Sequence, residues 1–251
     1  MVDRTDARTG FGSVDVAGRS GVAYDAGLRA YMLSIYNYMA SGVLLTGMIA
    51  LVVGTTPALL SIFFHQNARG GLSPTIPGYI VTFAPLAMIL FGTFRFERMS
   101  VNALRLFFFG FAALIGVSMA NIFFYFTGAS IAQTFFVTAG AFAGLSLYGY
   151  TTKRDLSGLG KFLLIGLFGL ILSMLANMFI GSGPFQLAIN MIGVLIFAGL
   201  TVYDTQMLKS VYFQVGTVDG RAKAAIWGAL QLYLDFINMF RFLLSFMGDR
   251  R

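Results

Sequence analysis

The chain has no cysteine, one histidine (His65), one tryptophan and little charge: only 11% of its 251 residues are Asp, Glu, Lys or Arg. Without cysteine there can be no disulfide, thiol nucleophile, iron–sulfur cluster or thiolate zinc site, and a lone histidine cannot build a paired-histidine metal centre. The scarcity of charge excludes an ordinary soluble domain. What is present in excess is apolar: 57% of residues are hydrophobic, with 27 Phe and 30 Gly. Long charge-free stretches supply several segments of about 20 residues, the length that crosses a ~30 Å hydrocarbon core. The expectation is an all-α integral membrane protein with no resident cofactor, not an enzyme. Gly144-Leu-Ser146 superficially resembles a serine-protease span, but no histidine lies within any span to act as its base.

Residues 1–29 carry alternating Asp and Arg with scattered Gly, Ser and Thr. They read as a flexible polar tail without the apolar core of a signal peptide, ahead of a membrane domain over 30–251. Apolar segments then run over 31–53, 79–96, 101–124, 131–150, 160–180, 186–209 and 224–247, which predicts seven spans. The connection 54–78 is broken by Pro57, Pro74, Pro77 and Gly70-Gly71, while Ala58–Phe64 is apolar enough to lie at the interface or extend the first helix. His65 falls in this connection and reads as a loop residue. Seven alternating spans put thirteen of the 17 basic residues on the side of the N-terminus. The excess of Lys and Arg on cytoplasmic loops therefore predicts a cytoplasmic N-terminus and an outside C-terminus. It also accounts for the net charge of +7 without nucleic acid as a partner. Gly140-Ala-Phe-Ala-Gly144 fits a GxxxG pattern and predicts close helix packing in the fourth span.

Of ten acidic residues, only Asp204 and Asp235 lie inside apolar segments. An ionised Asp near a helix centre opposes insertion by about 2.5–3.5 kcal/mol, so something must offset or avoid that cost. The two acids sit on consecutive spans joined by a short loop. At roughly 1.5 Å per residue they lie about 12 Å and about 16 Å from the same boundary, so they can meet. Asn190, Thr201 and Thr205 near Asp204, and Gln231 and Asn238 near Asp235, form polar stripes that offer donors to the carboxylates. Two carboxyls at hydrogen-bond distance in low dielectric cannot both ionise cheaply, so the expected resting form shares one proton. Loss of that proton replaces a hydrogen bond by a repulsion, which makes the pair a candidate pH sensor. With oxygen neighbours it is also a candidate transient stop for calcium. The bland alternative is that the two acids act only as glue between helices.

Three segments carry a family resemblance: Gly193-Val-Leu-Ile-Phe-Ala-Gly-Leu-Thr-Val-Tyr-Asp-Thr-Gln206, Ala229-Leu-Gln-Leu-Tyr-Leu-Asp-Phe-Ile-Asn-Met-Phe240 and Ser146-Leu-Tyr-Gly-Tyr-Thr-Thr-Lys-Arg-Asp-Leu156. Through them the chain, from about 30 to 248, resembles the Bax inhibitor-1, or transmembrane Bax inhibitor motif, family. The resemblance implies a seven-helix bundle with six helices around a central C-terminal one, and a di-aspartyl sensor at Asp204 and Asp235. It implies a pH-sensitive calcium leak channel, as in prokaryotic members, in which an arginine after the second helix latches the diacid; Arg98 is the best match and Arg95 the alternative. Some bacterial relatives instead modulate a membrane-bound AAA protease, so a non-conducting partner of such a protease is the competing expectation. Similarity to prokaryotic members, with no organelle targeting signal, implies a multi-pass protein of the bacterial inner membrane. The expected partners are the lipid bilayer, calcium and protons.

Overall fold

A computed structural model describes residues 13–68 and 70–251, with side chains from residue 26 onward except Glu97. Helix α1 spans Ser13–Thr55, α2 Pro57–Phe63, α3 Ile76–Arg95, α4 Val101–Met119, α5 Ile122–Tyr125, α6 Gly128–Thr151, α7 Ser157–Ile180, α8 Gly183–Gln214 and α9 Val218–Met247. The polar tail expected over 1–29 is only partly within the described residues: 1–12 lie outside them, and from Ser13 the backbone is helical.

The protein is an all-α membrane protein. Among the described residues, six segments are long and apolar enough to cross a bilayer: Ala26–Thr55, Ile76–Arg95, Val101–Tyr125, Gly128–Thr151, Ser157–Ile180 and Gly183–Gln214. They correspond to the first six predicted spans. The seventh prediction coincides with α9, which has the length but also carries Asp219, Arg221, Lys223, Asp235 and Arg241, and so stands apart from the six by composition.

The boundaries follow local chemistry. Thr75, Ser100, Thr127, Ser182 and Thr217 precede α3, α4, α6, α8 and α9, and each side-chain oxygen accepts a backbone N–H of the first turn. Pro57, Pro77 and Pro184 occupy first-turn positions where a missing N–H costs nothing. Gly181 ends α7 at φ 68°, the left-handed conformation glycine adopts without penalty.

The connection after α1 is more ordered than the sequence suggests. Thr56 is extended, so the first helix stops there instead of continuing. The short α2 leads into a hairpin of β1 (Phe64–Gln66) and β2 (Leu72–Pro74), antiparallel with His65 opposite Ser73. His65 is thus an exposed strand residue. The Tyr125 hydroxyl accepts from Leu72 N at 2.8 Å and fastens this hairpin to the end of α5.

Helix α9 packs against α8, α1, α6 and α4. Its buried residues include Ile226, Gly228, Ala229, Leu230, Asp235 and Ile237, which are spread over more than half of the helix circumference, wider than a single stripe. Close approaches use glycine, but not the pair singled out by pattern. A Cβ on Gly140 or Gly144 would meet nothing within 4 Å. Tight contacts lie elsewhere, among them Gly149, where α6 lies against the Val202 carbonyl of α8, and Gly116, where a Cβ would lie 2.8 Å from the Thr46 carbonyl of α1. The GxxxG expectation therefore fails because that face of α6 points out of the bundle.

Three helices meet at one buried hydrogen-bond chain. Thr46 Oγ1 donates to the Ala112 carbonyl of α4 at 2.8 Å, which uses its one hydrogen, so at the 2.6 Å contact with Tyr233 Oη the tyrosine is the donor. Tyr233 is 0% exposed and Thr46 2%. Thr46→Val strands the buried phenol and is expected to cost about 1–3 kcal/mol, whereas Tyr233→Phe leaves Thr46 satisfied and should cost about 0.5–1.5 kcal/mol. Thermal unfolding in detergent checks the order, and the double variant should lose less than the sum of the two.

Candidate functional site

The turn Val215–Thr217 folds α9 back along α8, and the two helices bring Asp204 and Asp235 together. Their carboxyl groups lie close enough to act on each other across the seam between α8 and α9. Asp235 is 4% exposed and Asp204 half-buried. Oδ2 of Asp235 is buried without a hydrogen-bond partner among the described residues, a condition it shares only with Tyr31 Oη. Buried polar atoms are paired in the great majority of cases, so an orphan on a carboxyl group stands out from ordinary packing.

The neighbours behave differently from the expectation. Thr201 Oγ1 donates to the Phe197 carbonyl at 2.8 Å, and Thr205 Oγ1 to the Thr201 carbonyl at 2.7 Å. Asn238 Nδ2 donates to the Leu234 carbonyl at 2.9 Å. Each side chain thus bonds its own helix one turn back, and none of these donors reaches a carboxylate. Gln231 is half-buried on α9. Asn190 is too far along α8, roughly 21 Å from Asp204 at 1.5 Å per residue. It accepts from Gln186 Nε2 at 2.9 Å, and Gln186 in turn accepts from Asn177 of α7.

Arg95, at the end of α3, and Arg98, in the following 3₁₀ turn Phe96–Arg98, are both exposed. The Arg95 guanidinium lies 5.6 Å from the centre of the Phe91 ring. Neither arginine is among the groups acting on Asp204 or Asp235 in this conformation, so the latch contact is not made here.

What the sequence did not disclose is a relay of hydroxyls reaching the site from α1. Tyr36 Oη is bonded to Ser146 Oγ of α6 at 2.7 Å, and Ser146 Oγ to Thr205 Oγ1 at 3.0 Å, next in sequence to Asp204. Ser146 is therefore a bridge between helices and has no base beside it. Gln206 is the other unforeseen residue. Its Nε2 donates to the Arg154 carbonyl at 2.7 Å, and its Oε1 accepts from Leu156 N at 3.0 Å, clamping the loop between α6 and α7. Lys209 Nζ adds a bond to the Tyr150 carbonyl at 2.8 Å. In the same loop Asp155 accepts from Ser157 N and Oγ at 2.9 and 2.6 Å, which holds its carboxyl below the usual carboxylate range. Two of the sequence segments that carry the resemblance, 146–156 and 193–206, are thus bonded to each other, and the spacing between them in the chain hides it.

A family model described as inhibitor of apoptosis-promoting Bax1 matches residues 28–251. An uncharacterized protein of Caulobacter vibrioides is 42% identical, covering 98% of this chain and 99% of its own length. The inner membrane protein YbhL of Escherichia coli is 41% identical, covering 90% of this chain and 94% of its own. A protein of Rickettsia prowazekii is 40% identical over 91% of this chain and 93% of its own.

Proposed function

The chain belongs to the Bax inhibitor-1 family, and from that premise we propose that it is a pH-sensitive cation leak channel of the bacterial inner membrane. Calcium is the permeant ion, and protonation of the Asp204–Asp235 pair is the gate. The observation that carries this reading is the approach of the two carboxyl groups between α8 and α9, with Asp235 Oδ2 buried and left unpartnered among the described residues. A hydrogen bond between them needs one proton, since two carboxylates have none to donate. Removing it leaves like charges that repel by about 4 kcal/mol at about 4 Å and an effective dielectric of about 20. At 1.4 kcal/mol per factor of ten, that is a bias of roughly a thousandfold against the close arrangement.

The helices bearing the pair are the ones such a bias would move. In this reading α9 is the seventh span, at the centre of the bundle; its contacts with α1, α4, α6 and α8, four of the other six, support that. Enclosure is also what makes an acid tolerable at membrane depth, because a charged side chain on a lipid-facing helix is strongly disfavoured. Among the described residues no three His, Asp or Glu side chains gather to form a cation cage. A calcium ion at the open pair would thus meet two carboxylates, suited to brief residence on the way through. The basic residues Lys153, Arg154, Lys209 and Arg221 flank the ends of α6, α8 and α9 that the proposal assigns, with the N-terminus, to the cytoplasm.

The direct test is calcium efflux from proteoliposomes holding the purified chain. Efflux is expected to rise with pH, as the pair loses its proton; rates equal to those of protein-free vesicles at every pH would remove the channel from consideration.

A further inference from the structure

Helix α1 packs on α4, α8 and α9, and α6 packs on α8 and α9. Between α1 and α6 themselves lies an open groove of about 620 Å³, within the roughly 300–1,000 Å³ range of small-molecule sites. Its walls are apolar and face the flank of the bundle: Leu33 from α1 is 48% exposed and Leu147 from α6 63%. The Tyr36–Ser146 hydrogen bond crosses its base. One end of the groove is cationic. Arg29 lines it there, and Tyr150 on the opposite wall carries Lys209 Nζ 5.6 Å from its ring centre. Lys153 is exposed just beyond the end of α6. Among the described residues, none that lines the groove is acidic.

We propose that this groove is a binding site for one anionic glycerophospholipid, with an acyl chain between Leu33 and Leu147 and the phosphate at Arg29. The apolar walls select a chain over a polar solute, because each buried methylene is favourable while a buried unpaired polar group is costly. The position of the groove, on the flank of helices that cross the bilayer, supplies such chains from the side. The cations at one end match a phosphate in charge and lie where a headgroup would be, one helix end away from the acyl region. Guanidinium is the better partner here, since it bonds phosphate through two parallel N–H groups. The Tyr36 and Ser146 hydroxyls give the chain no competitor for their hydrogen bonds, as they already satisfy each other.

Proteoliposomes of the full chain, prepared with phosphatidylglycerol bearing a photoreactive acyl chain, test this directly. After irradiation, peptide mapping is expected to show label concentrated on residues 29–40 and 142–150. These should exceed other exposed apolar faces, such as Leu172 and Phe179 of α7, by at least about fivefold per exposed residue. Phosphatidylcholine carrying the same probe should label the groove less, and Arg29→Ala should lower the phosphatidylglycerol signal there by about fivefold, toward the phosphatidylcholine level. Label spread in proportion to exposed surface would overturn the site. Equal labelling by the two lipids, or an Arg29→Ala protein indistinguishable from wild type, would overturn the phosphate assignment. The map on the unaltered protein does not depend on any variant folding, and Leu147→Trp, at an exposed position, should block the groove for both lipids.

Discussion

Asp235→Asn is expected to leave calcium efflux low and nearly flat across about pH 5 to pH 9, the span over which perturbed carboxyls titrate. Wild-type efflux should instead climb with pH, by up to about tenfold per unit where a single proton controls the gate. The asparagine is the informative choice because it keeps the shape of the side chain and supplies a fixed N–H donor to Asp204. It therefore imitates the protonated pair permanently, without leaving a cavity in a position that is 4% exposed. Asp204→Asn should act in the same direction. If the two residues act through one shared proton, as proposed, the double variant should be no more severe than either single one. Efflux from Asp235→Asn that still follows pH as wild type does would separate the pair from gating. That result would leave the groove between α1 and α6 untouched, since the lipid is read by labelling and not by flux.

The relation between sequence and structure turns on what the bilayer does to hydrophobic pattern. Spans are legible because their length is dictated by membrane thickness, and caps such as Thr75, Ser100 and Ser182 mark where they start. Asp204 and Asp235 are legible because an acid in an apolar segment is costly, whatever surrounds it. Helix rotation is another matter. In a soluble protein the apolar stripe points inward, but in lipid both faces are apolar and the stripe disappears. This is why Gly140 and Gly144 look like a packing face and are not one, and why the contact at Gly149 goes unnoticed. It is also why Thr201, Thr205 and Asn238 look like donors to the carboxylates, when each bonds a carbonyl on its own helix. The Tyr36–Ser146–Thr205 relay joins residues from three helices, a juxtaposition that no spacing within one segment can encode. The short hairpin after α2 escapes for a simpler reason: its strands, Phe64–Gln66 and Leu72–Pro74, are too brief to show an alternation.

The rotation of α6 can be tested by a pair of identical substitutions with opposite expected signs. Glycine to alanine inside a helix ordinarily stabilises it by about 1 kcal/mol through propensity alone. At Gly140 nothing lies within 4 Å of the new methyl, so that gain should stand or vanish and the unfolding midpoint in detergent should hold or rise slightly. At Gly149 the methyl would collide with the Val202 carbonyl and come within 3.1 Å of Thr205 Cβ. A carbonyl in the middle of α8 cannot rotate away as a flexible side chain can, so α6 must move. Overpacking of this kind costs about 1–3 kcal/mol, which outweighs the propensity gain and should lower the midpoint by several degrees, at about 2–4 °C per kcal/mol for a chain of this size. The displacement has a local consequence as well. Ser146 lies one turn before Gly149, and its 3.0 Å bond to Thr205 spans the same seam, as do the bonds from Gln206 and Lys209 to the loop and the end of α6. Gly149→Ala should thus raise hydrogen exchange in residues 150–156 along with the loss of stability, whereas Gly140→Ala should leave it unchanged. Were Gly140→Ala the damaging member of the pair, α6 would present its GxxxG face to the bundle, and Ser146 could not bridge Tyr36 to Thr205.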